Sequence, residues 1–322
     1  MIDSMPDYEI PISFDNQRAV VSPWGASLRR YFLVDASGGE TDILWGYSGG
    51  GQKKGGQGDV LFPFPGRVAE GRYSFGGYDF QLDRNDKEGP NAIHGFVRNM
   101  PWKVLHADSS CTSFEVRLDA ESYGHRGYPF ALSLCVTYSL DRQGLSCSFA
   151  VQNVGTQAAP VGVGFHPYFT VGTANVDEAE ARIPGAGYLE FNERLAPTGA
   201  IIAVDGTDWD YRLFRSIGSR RFNHCYVQLE RDAEGMATAS LRHGTSGRII
   251  DIVMDRSFSA VVVYTGDAIA DAPRRALAIE PMTCATDAFN HPEWGLMCLR
   301  PGKSCAGRYR VRERTIVPSI HS

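Results

Sequence analysis

Two short segments each place one ionisable side chain beside small residues and directly before a proline. They are residues 161–167 (VGVGFHP), which contain His166, and residues 276–281 (ALAIEP), which contain Glu280. Alternate residues of an extended segment share a face, so His166 lies with two glycines and Glu280 with two alanines. A proline disfavours the helical region for the residue before it, so we expect both side chains at strand ends. Nearly bare faces admit a flat ligand, and a histidine and a glutamate there predict paired acid/base catalysis.

Each of these residues also has an ordinary structural interpretation. A buried histidine can bond to a backbone carbonyl, and a strand-end carboxylate can join a surface ion pair. His94, in NAIHGF, is a third candidate because Gly95 permits a tight turn beside it, and its alternative is a histidine that only shapes the turn. A metal site is disfavoured, since the eight histidines show no HxH or HxxxH spacing. The sequence predicts neither a metal nor another cofactor.

The elements that position these residues are predicted to be strands. Apolar and polar residues alternate with period two over 130–139 and 145–152, with a turn between them, which indicates an antiparallel hairpin. Shorter strand-like runs lie at 19–22, 28–34, 102–107, 113–118, 249–254, 260–264, 276–279 and 309–313. No amphipathic helix longer than about three turns is evident. Many short strands without helical crossovers indicate an all-β fold, a β-sandwich of mostly antiparallel strands formed as one domain over residues 1–322.

Composition narrows the class of partner. Lys and Arg number 32 against 37 Asp and Glu, a formal charge of −5, which argues against a nucleic acid or an anionic membrane surface. The N-terminal MIDSMPDYEI lacks the basic start and apolar run of a signal peptide, and no stretch reaches membrane-spanning length. Seven scattered cysteines without a CxxC spacing are expected to be reduced. We therefore expect a cytoplasmic protein, a monomer or homodimer, that binds a small molecule.

Residues 46–58 (GYSGGGQKKGGQG) form the one low-complexity stretch. Their glycines and two lysines suggest a phosphate-binding loop, but no GxxxxGK[ST] pattern fits and no strand-to-helix context follows. A mobile loop is the favoured interpretation. Its position shortly before Arg67 also allows a substrate lid.

Four short motifs, in this order and spacing, resemble the aldose 1-epimerase (galactose mutarotase) family. They are Arg67 in PFPGRV, His94 in NAIHGF, His166 in GFHPYF and Glu280 in EPMTCATDAFN, within a likeness that runs from about Phe62 to Asn290. The resemblance implies a large mutarotase-type β-sandwich, or supersandwich, with an open sugar cleft across one sheet and no cofactor or metal. Two positions depart from the family's pattern. Asn223 stands where many members carry an aspartate that contacts sugar hydroxyls, and Gly66 stands where an asparagine often precedes the arginine.

The resemblance also implies roles for these residues. Glu280 would be the general base on the C1 hydroxyl and His166 the general acid that protonates the ring oxygen. The opened aldehyde rotates about its C1 to C2 bond, and the same two groups close the ring with the opposite anomeric configuration. Arg67 and His94 would hold the sugar, with His94 near the reacting oxygens and so the third catalytic candidate.

Further sugar contacts are expected around these groups. Asn223 is the polar candidate, and Trp102 and Tyr168 are aromatic candidates for stacking on the apolar side of the sugar, although a structural role is the favoured interpretation of each. Secondary candidates, each with the same structural alternative, are His224, His291 and Phe96.

The implied activity is the interconversion of the α and β anomers of a hexose. A hexose-6-phosphate 1-epimerase is the close alternative, for which Arg72, Arg84, Arg98 and Arg126 could supply a phosphate pocket. Because these arginines are spread singly between acidic residues, we expect a neutral aldose to be preferred. A catalytically silent carbohydrate-binding or sensing protein on the same fold is a third possibility. The presence of both His166 and Glu280 argues against it, because binding alone needs no matched acid and base.

Overall fold

A computed structural model describes residues 9–48 and 53–316 of the chain. The strands of this range are β1 (Ile10–Phe14), β2 (Gln17–Ser22), β3 (Ser27–Val34), β4 (Glu40–Asp42), β5 (Asp59–Leu61), β6 (Arg67–Val68), β7 (Arg72–Phe75), β8 (Tyr78–Gln81), β9 (Ala92–Ile93), β10 (Lys103–Ala107), β11 (Cys111–Leu118), β12 (Leu132–Asp141), β13 (Gly144–Asn153), β14 (Ala159–Val161), β15 (Gly164–His166), β16 (Tyr168–Phe169), β17 (Ala179–Arg182), β18 (Gly185–Phe191), β19 (Pro197–Ala203), β20 (Arg215–Ser216), β21 (Asn223–Leu229), β22 (Ala237–His243), β23 (Arg248–Met254), β24 (Ala260–Tyr264), β25 (Leu277–Met282), β26 (Met297–Leu299) and β27 (Ser304–Thr315). Helix is limited in the same range to α1 (Ala120–Gly124) and to 3-10 turns at Ala69–Gly71, Val97–Asn99, Val176–Glu178 and Pro292–Trp294.

Two large antiparallel sheets dominate the architecture. The nine-stranded sheet has the order β10-β11-β12-β13-β27-β23-β22-β17-β20, and the eight-stranded sheet has the order β19-β18-β21-β24-β25-β15-β5, with β16 also paired to β25. Strands β1 to β4 form a smaller sheet, and three two-stranded sheets pair β14 with β26, β6 with β9 and β7 with β8. The predicted all-β, mostly antiparallel sandwich is confirmed.

The core fills the space between the two large sheets. Phe165 of the eight-stranded sheet packs against Tyr309 of the nine-stranded sheet, with ring centroids 5.1 Å apart. The largest cluster of buried apolar residues contains side chains from Ile12 through Val311. The alternation read from the sequence explains this arrangement, because every second residue of β12 is buried.

The register of the eight-stranded sheet determines what lies on its other, outward face. Asn223 is paired with Tyr264, and Val262 is paired with Glu280. Directly paired residues and their second neighbours share a face, so these side chains project together, opposite to the core residue Val263. The sheet therefore carries Glu280 on the face that the main core does not cover.

The predicted strands agree closely with the observed ones, with two local differences. Nine of the ten predicted strands match within three residues at each end, and the tenth, β27, is longer at both ends. Residues 161–167 are not one strand, however, because β14 pairs with β26 whereas β15 pairs with β5 and β25. His166 lies at the end of β15, as predicted.

Glu280 lies inside β25, so its predicted position at a strand end is wrong. The amides of Ile279 and Thr283 bond to carbonyl oxygens that flank β15, at 3.3 and 2.9 Å. Pro281 lies two residues from both Ile279 and Thr283, so its nitrogen points toward β15 as theirs do. At that position the neighbouring strand is interrupted, because the nitrogen faces the gap between β15 and β16. The strand continues because the missing N–H removes no bond that the ladder needs there.

Two other observations concern the chain as a whole. All seven cysteines are unbonded thiols, as expected. No helix in the described range has the length and apolar character needed to span a membrane.

Candidate active site

A cavity of about 530 Å³ opens on the outward face of the eight-stranded sheet. Five of the residues predicted to act on or bind the sugar line it, namely Arg67, His94, His166, Asn223 and Glu280. They come from segments as far apart in sequence as β6 and β25, and the sheet register brings them together. The cavity size falls in the range of small-molecule sites.

His166 and Glu280 form a close buried pair in this cavity. The Nε2 atom of His166 lies 3.3 Å from Oε1 of Glu280, and the two side chains are 6% and 3% exposed. No other described group forms a hydrogen bond with Nδ1 of His166 or Oε2 of Glu280. The geometry allows a proton to pass directly between the two residues.

Burial changes the acidity of both members of the pair. Burial, followed by the positive charge of Arg98, lowers the pKa of His166 to about 3. Burial raises the pKa of Glu280 well above its ordinary value, and the charge of Arg67 opposes this shift. Desolvation disfavours the imidazolium and the carboxylate alike, so the uncharged forms of both groups are favoured. Burial therefore favours a shared proton on the carboxyl group over one on the imidazole.

The His166 ring is packed from several directions. It stacks on Tyr168, with centroids 5.1 Å apart, and meets the edge of His94 at 5.4 Å. The Tyr168 hydroxyl donates to the Gly55 carbonyl at 2.8 Å, and the Gly58 N–H donates to the His166 carbonyl at 2.9 Å. These contacts fix both the ring plane and the backbone of His166.

His94 lies in a tight turn between β9 and the following 3-10 turn. Its φ of +63° is in the left-handed region, which is uncommon for residues other than glycine and recurs at functional sites. Its backbone N–H donates to the Gly66 carbonyl at 2.9 Å, and the Gly66 N–H donates to its Nδ1 at 3.3 Å. Because Nδ1 accepts, Nε2 carries the hydrogen and is the donor of this ring. Burial, and then Arg98, keep the pKa of His94 well below its usual value, so the ring is neutral.

The same contacts bear on metal binding. One ligand-type atom from each of His94, His166 and Glu280 lies within 4.8 Å of the others. A metal ligand must offer a free lone pair, however, and the Nδ1 lone pair of His94 is used by the Gly66 N–H while Nε2 is protonated. The observed hydrogen bonding suits a hydrogen-bond donor at Nε2 better than a metal ligand.

Arg67 is held rigidly at the cavity wall. It begins β6, and its Nε and Nη2 atoms donate to Asp86 at 2.7 Å and to Glu88 at 2.9 Å. Its side chain is only 11% exposed. Two carboxylates on one guanidinium orient its remaining N–H groups and lower the local positive charge.

Comparison with known proteins identifies the group to which the chain belongs. The sequence profile of the aldose 1-epimerase family matches residues 10–312. The chain belongs to the aldose 1-epimerase family. It is 34% identical to the uncharacterized protein YihR of Escherichia coli K12 over 72% of this chain and 71% of that protein. It is 29% identical to the galactose mutarotase of Mus musculus over 87% of this chain and 86% of that protein.

Solved structures of the same family support the fold. The GalM/aldose epimerase homologue from C. elegans superposes with a TM-score of 0.86 at 20% identity, over 96% of this chain and 99% of that one. A putative aldose 1-epimerase from Escherichia coli K12 gives a TM-score of 0.80 at 19% identity, with 96% and 99% coverage. At these identities the likeness establishes a mutarotase-like fold.

The cavity differs from the sequence predictions at its aromatic residues. Trp102 is buried, and its indole N–H donates to the Val97 carbonyl at 3.0 Å. Tyr168 lies behind His166, with its hydroxyl bonded to Gly55, and neither ring lines the cavity. Both predictions of sugar stacking are corrected, because these rings support the protein instead.

The secondary candidates also have structural partners. His224 packs on Trp209 and His291 stacks on Trp294, in both cases with ring centroids 3.9 Å apart. Phe96 packs edge to face against Phe64. None of the three lines the cavity. Of the four arginines considered for a phosphate pocket, Arg98 lines the cavity, whereas Arg72, Arg84 and Arg126 do not.

The glycines before His166 have a different use from the one predicted. A Cβ added to Gly164 would lie 2.7 Å from Pro65, and one added to Gly162 would lie 2.7 Å from Pro65 and still closer to the Cys284 thiol. Neither glycine lines the cavity, so these positions make room for Pro65 rather than for a ligand. The face that carries Gly162 and Gly164 lacks side chains because Pro65 packs against it.

Several cavity residues were not found from the sequence. Asp86, Glu88 and Tyr264 line the cavity without having been singled out, whereas Gly55 and Gly56, which also line it, belong to the glycine-rich stretch that the sequence allowed as a substrate lid. Acidic residues in the polar loop after β8 were the only available signal for the first two, and such loops are common on protein surfaces. Residues 49–52 of the stretch lie outside the described residues, and with them part of the predicted lid.

Proposed function

We propose that this protein is an aldose 1-epimerase that interconverts the α and β anomers of a hexose by opening and closing the sugar ring. The observation that carries the proposal is the 3.3 Å contact between His166 Nε2 and Glu280 Oε1 in a small-molecule cavity. Anomer exchange removes a proton from the C1 hydroxyl and delivers one to the ring oxygen. A buried pair that holds one proton can do both.

The proposed reaction begins with the proton on Glu280, where burial places it. Transfer to His166 across the 3.3 Å contact creates a carboxylate and an imidazolium next to the sugar. Glu280 then takes the C1 hydroxyl proton while His166 protonates the ring oxygen, and the C1 to ring-oxygen bond breaks. Rotation about the C1 to C2 bond and reversal of the transfers give the other anomer and restore the pair. Each positioned transfer contributes roughly 10²–10⁴-fold.

Other cavity residues have supporting roles in this proposal. His94 donates through Nε2 to an oxygen near C1, since its Nδ1 is occupied by Gly66. Arg67, oriented by Asp86 and Glu88, binds sugar hydroxyls through its remaining donors. Asn223 at the start of β21 both donates and accepts without adding a charge.

A second candidate substrate is a hexose that carries a 6-phosphate. Besides Arg67, the cationic side chains of Lys54, Lys87 and Arg98 line the cavity and favour an anion. Lys54 is already paired with Asp271 at 3.0 Å, and Arg98 lies 3.7 Å from Asp59. The cavity also carries Asp86, Glu88 and Glu280, so the lining does not form a concentrated phosphate pocket. We therefore place a neutral hexose first.

The test is polarimetry of freshly dissolved α-glucose and α-galactose beside their 6-phosphates, with excess chelator and at two salt concentrations. We expect faster approach to anomeric equilibrium than in buffer, with the neutral sugars turned over better. Phosphates turned over at least tenfold better, with a rate that falls as salt rises, would establish the second candidate. No acceleration with any aldose would contradict an epimerase and favour a sugar-binding protein.

A further inference from the structure

A buried carboxylate lies directly beside His166 and takes no part in the proton transfers proposed above. Asp59 in β5 is paired with His166 in β15, and paired residues share a face of the sheet. Asp59 is only 1% exposed. Lys53 Nζ donates to its Oδ1 at 2.6 Å, and Arg98 Nη1 lies 3.7 Å from its Oδ2. A buried ion cluster is expensive to desolvate, so stability alone does not explain this one.

The ion cluster closes residues 53–59 against the His166 ring. Lys53 and Asp59 lie at the two ends of this segment, and Lys53 Nζ also donates to the Arg98 carbonyl at 3.2 Å. Between them, a Cβ added to Gly56 would lie 3.2 Å from Cδ2 and 3.4 Å from Nε2 of His166. A side chain at this position would press on the imidazole and would strain the backbone, whose φ is +79°, so glycine favours this close approach. The close contact with His166 therefore explains the glycine at position 56.

We propose that Asp59 is a positioning residue for His166. The Asp59 carboxylate holds Lys53 and Arg98 together and so fixes residues 53–59 against the imidazole. It also balances the positive charges of Lys53 and Arg98, which both act on His166. The consequence for catalysis rests on the proposed function, whereas the consequence for the ring itself does not.

The electrostatic part of the proposal has a definite sign. The charged and titratable groups around His166 are Glu280, His94, Tyr168, Asp59, Lys53 and Arg98. Both Arg98 and Lys53 act to lower the pKa of His166. Burial raises the pKa of Asp59, and the charges of Lys53 and Arg98 oppose that rise. Removing the carboxylate leaves these cations unbalanced and makes the pair lose its proton at lower pH. Removing the Lys53 charge has the opposite effect.

Asp59→Asn and Lys53→Met test the proposal as an opposed pair. Asp59→Asn keeps the shape of the side chain, and Lys53 does not line the cavity. The control is Asp83→Asn, which breaks the half-exposed Arg126 pair seen at 2.7 Å. The first measurement is the NMR spectrum of protein labelled at histidine, with His166 assigned by its absence in His166→Asn. The second is the pH dependence of kcat and of kcat/KM.

We expect Asp59→Asn to shift the His166 ring resonances beyond the change in Asp83→Asn. The alkaline fall of kcat/KM should move down by on the order of one pH unit, and in Lys53→Met it should move up. We expect kcat of Asp59→Asn to fall roughly 10–100-fold, because misplaced catalytic groups lose rate steeply. A merely structural role would lower activity without moving the two profiles in opposite directions.

The outcomes separate this proposal from the proposed function. His166 resonances in Asp59→Asn that match the control, or profiles that shift in the same direction in both variants, would overturn it. If the unmodified protein catalyses no anomer exchange, the proposed function fails and the resonances alone decide the positioning role. If Asp59→Asn does not fold, Lys53→Met decides, and unchanged resonances and an unchanged profile there overturn the proposal.

Discussion

Replacing Glu280 by glutamine should make the protein both slower and more stable. The amide keeps the size of the side chain but cannot accept the C1 hydroxyl proton, so kcat/KM should fall about 10²–10⁴-fold. Stability should rise because the native state no longer has to protonate, or bury the charge of, a carboxyl group that is 2% exposed. A gain in stability on removing a catalytic group is typical of active sites.

The size of the stability gain depends on pH, and its sign follows from linkage. Burial raises the pKa of Glu280 above the ordinary value of 4.5, so the native state keeps a proton that the unfolded chain has released. The stability associated with that proton is fully present below pH 4.5 and is lost as pH rises toward the native pKa. The loss is at most about 1.4 kcal/mol per pH unit. The advantage of Glu280→Gln should therefore grow by up to about 3 kcal/mol from pH 5 to pH 7.

Urea unfolding of the unmodified protein and of Glu280→Gln at pH 5, 6 and 7 tests the predicted gain in stability. Polarimetry of the same two proteins tests the predicted loss of rate. The control is Glu193→Gln, the same chemical change at an exposed position, which should leave rate and stability unaltered. A Glu280→Gln protein that is less stable by the same amount at every pH would refute the reasoning about burial. Retention of near-normal kcat would show that Glu280 is not the base.

Two further perturbations test other parts of the structure. Gly56→Ala should lower kcat by about tenfold or more, because the new methyl group meets His166. The control is Gly77→Ala, where φ is a similar +83° and nothing lies within 4 Å. Both variants should lose roughly 1–2 kcal/mol of stability, but Gly77→Ala should leave kcat unchanged. Equal kcat in the two variants, by steady-state polarimetry, would contradict the contact. Burial lowers the pKa of His224 to about 4 from 6.5, so its contribution to stability is present above pH 6.5 and is lost as pH falls toward 4. The free energy of unfolding should differ between pH 7 and pH 5 by about 2 kcal/mol less in His224→Gln than in the unmodified protein. Urea unfolding at the two pH values measures this difference. If it is the same in both proteins, burial does not hold the His224 ring neutral.

The sequence predicted the parts of this protein that depend on local patterns. The alternation from residue 130 to 152 fixed the longest hairpin, because burial of one sheet face imposes a period of two. The small residues beside His166 and Glu280 also singled out these two side chains, although for an incomplete reason. The glycines beside His166 admit Pro65, which approaches from another part of the chain. A bare face in a sequence cannot distinguish a ligand from a neighbouring backbone.

The parts that were missed depend on contacts between distant segments. Asp59 and Arg98 have no unusual local pattern, and Lys53 stood out only as part of the glycine-rich stretch. Their grouping results from the pairing of β5 with β15 and from the position of the 3-10 turn at Val97–Asn99. The same is true of Tyr168, whose ring was expected in the cavity. It lies one residue beyond Pro167, in β16, where it pairs with Ala278 and packs behind His166. Prediction of either feature requires the sheet register.

The placement of Glu280 explains why its acidity and that of His166 are controlled by burial before any individual charge. Ala278 and Met282 lie two residues on either side of Glu280, on the same face of β25. Each belongs to a separate small apolar cluster, one with Tyr168 and Ile269, the other with Leu61, Cys225 and Trp294. These clusters restrict water around a polar pair that the main core does not reach. In such surroundings the uncharged pair is favoured, and in the proposed reaction a sugar that offers one proton and accepts another would replace the missing solvent.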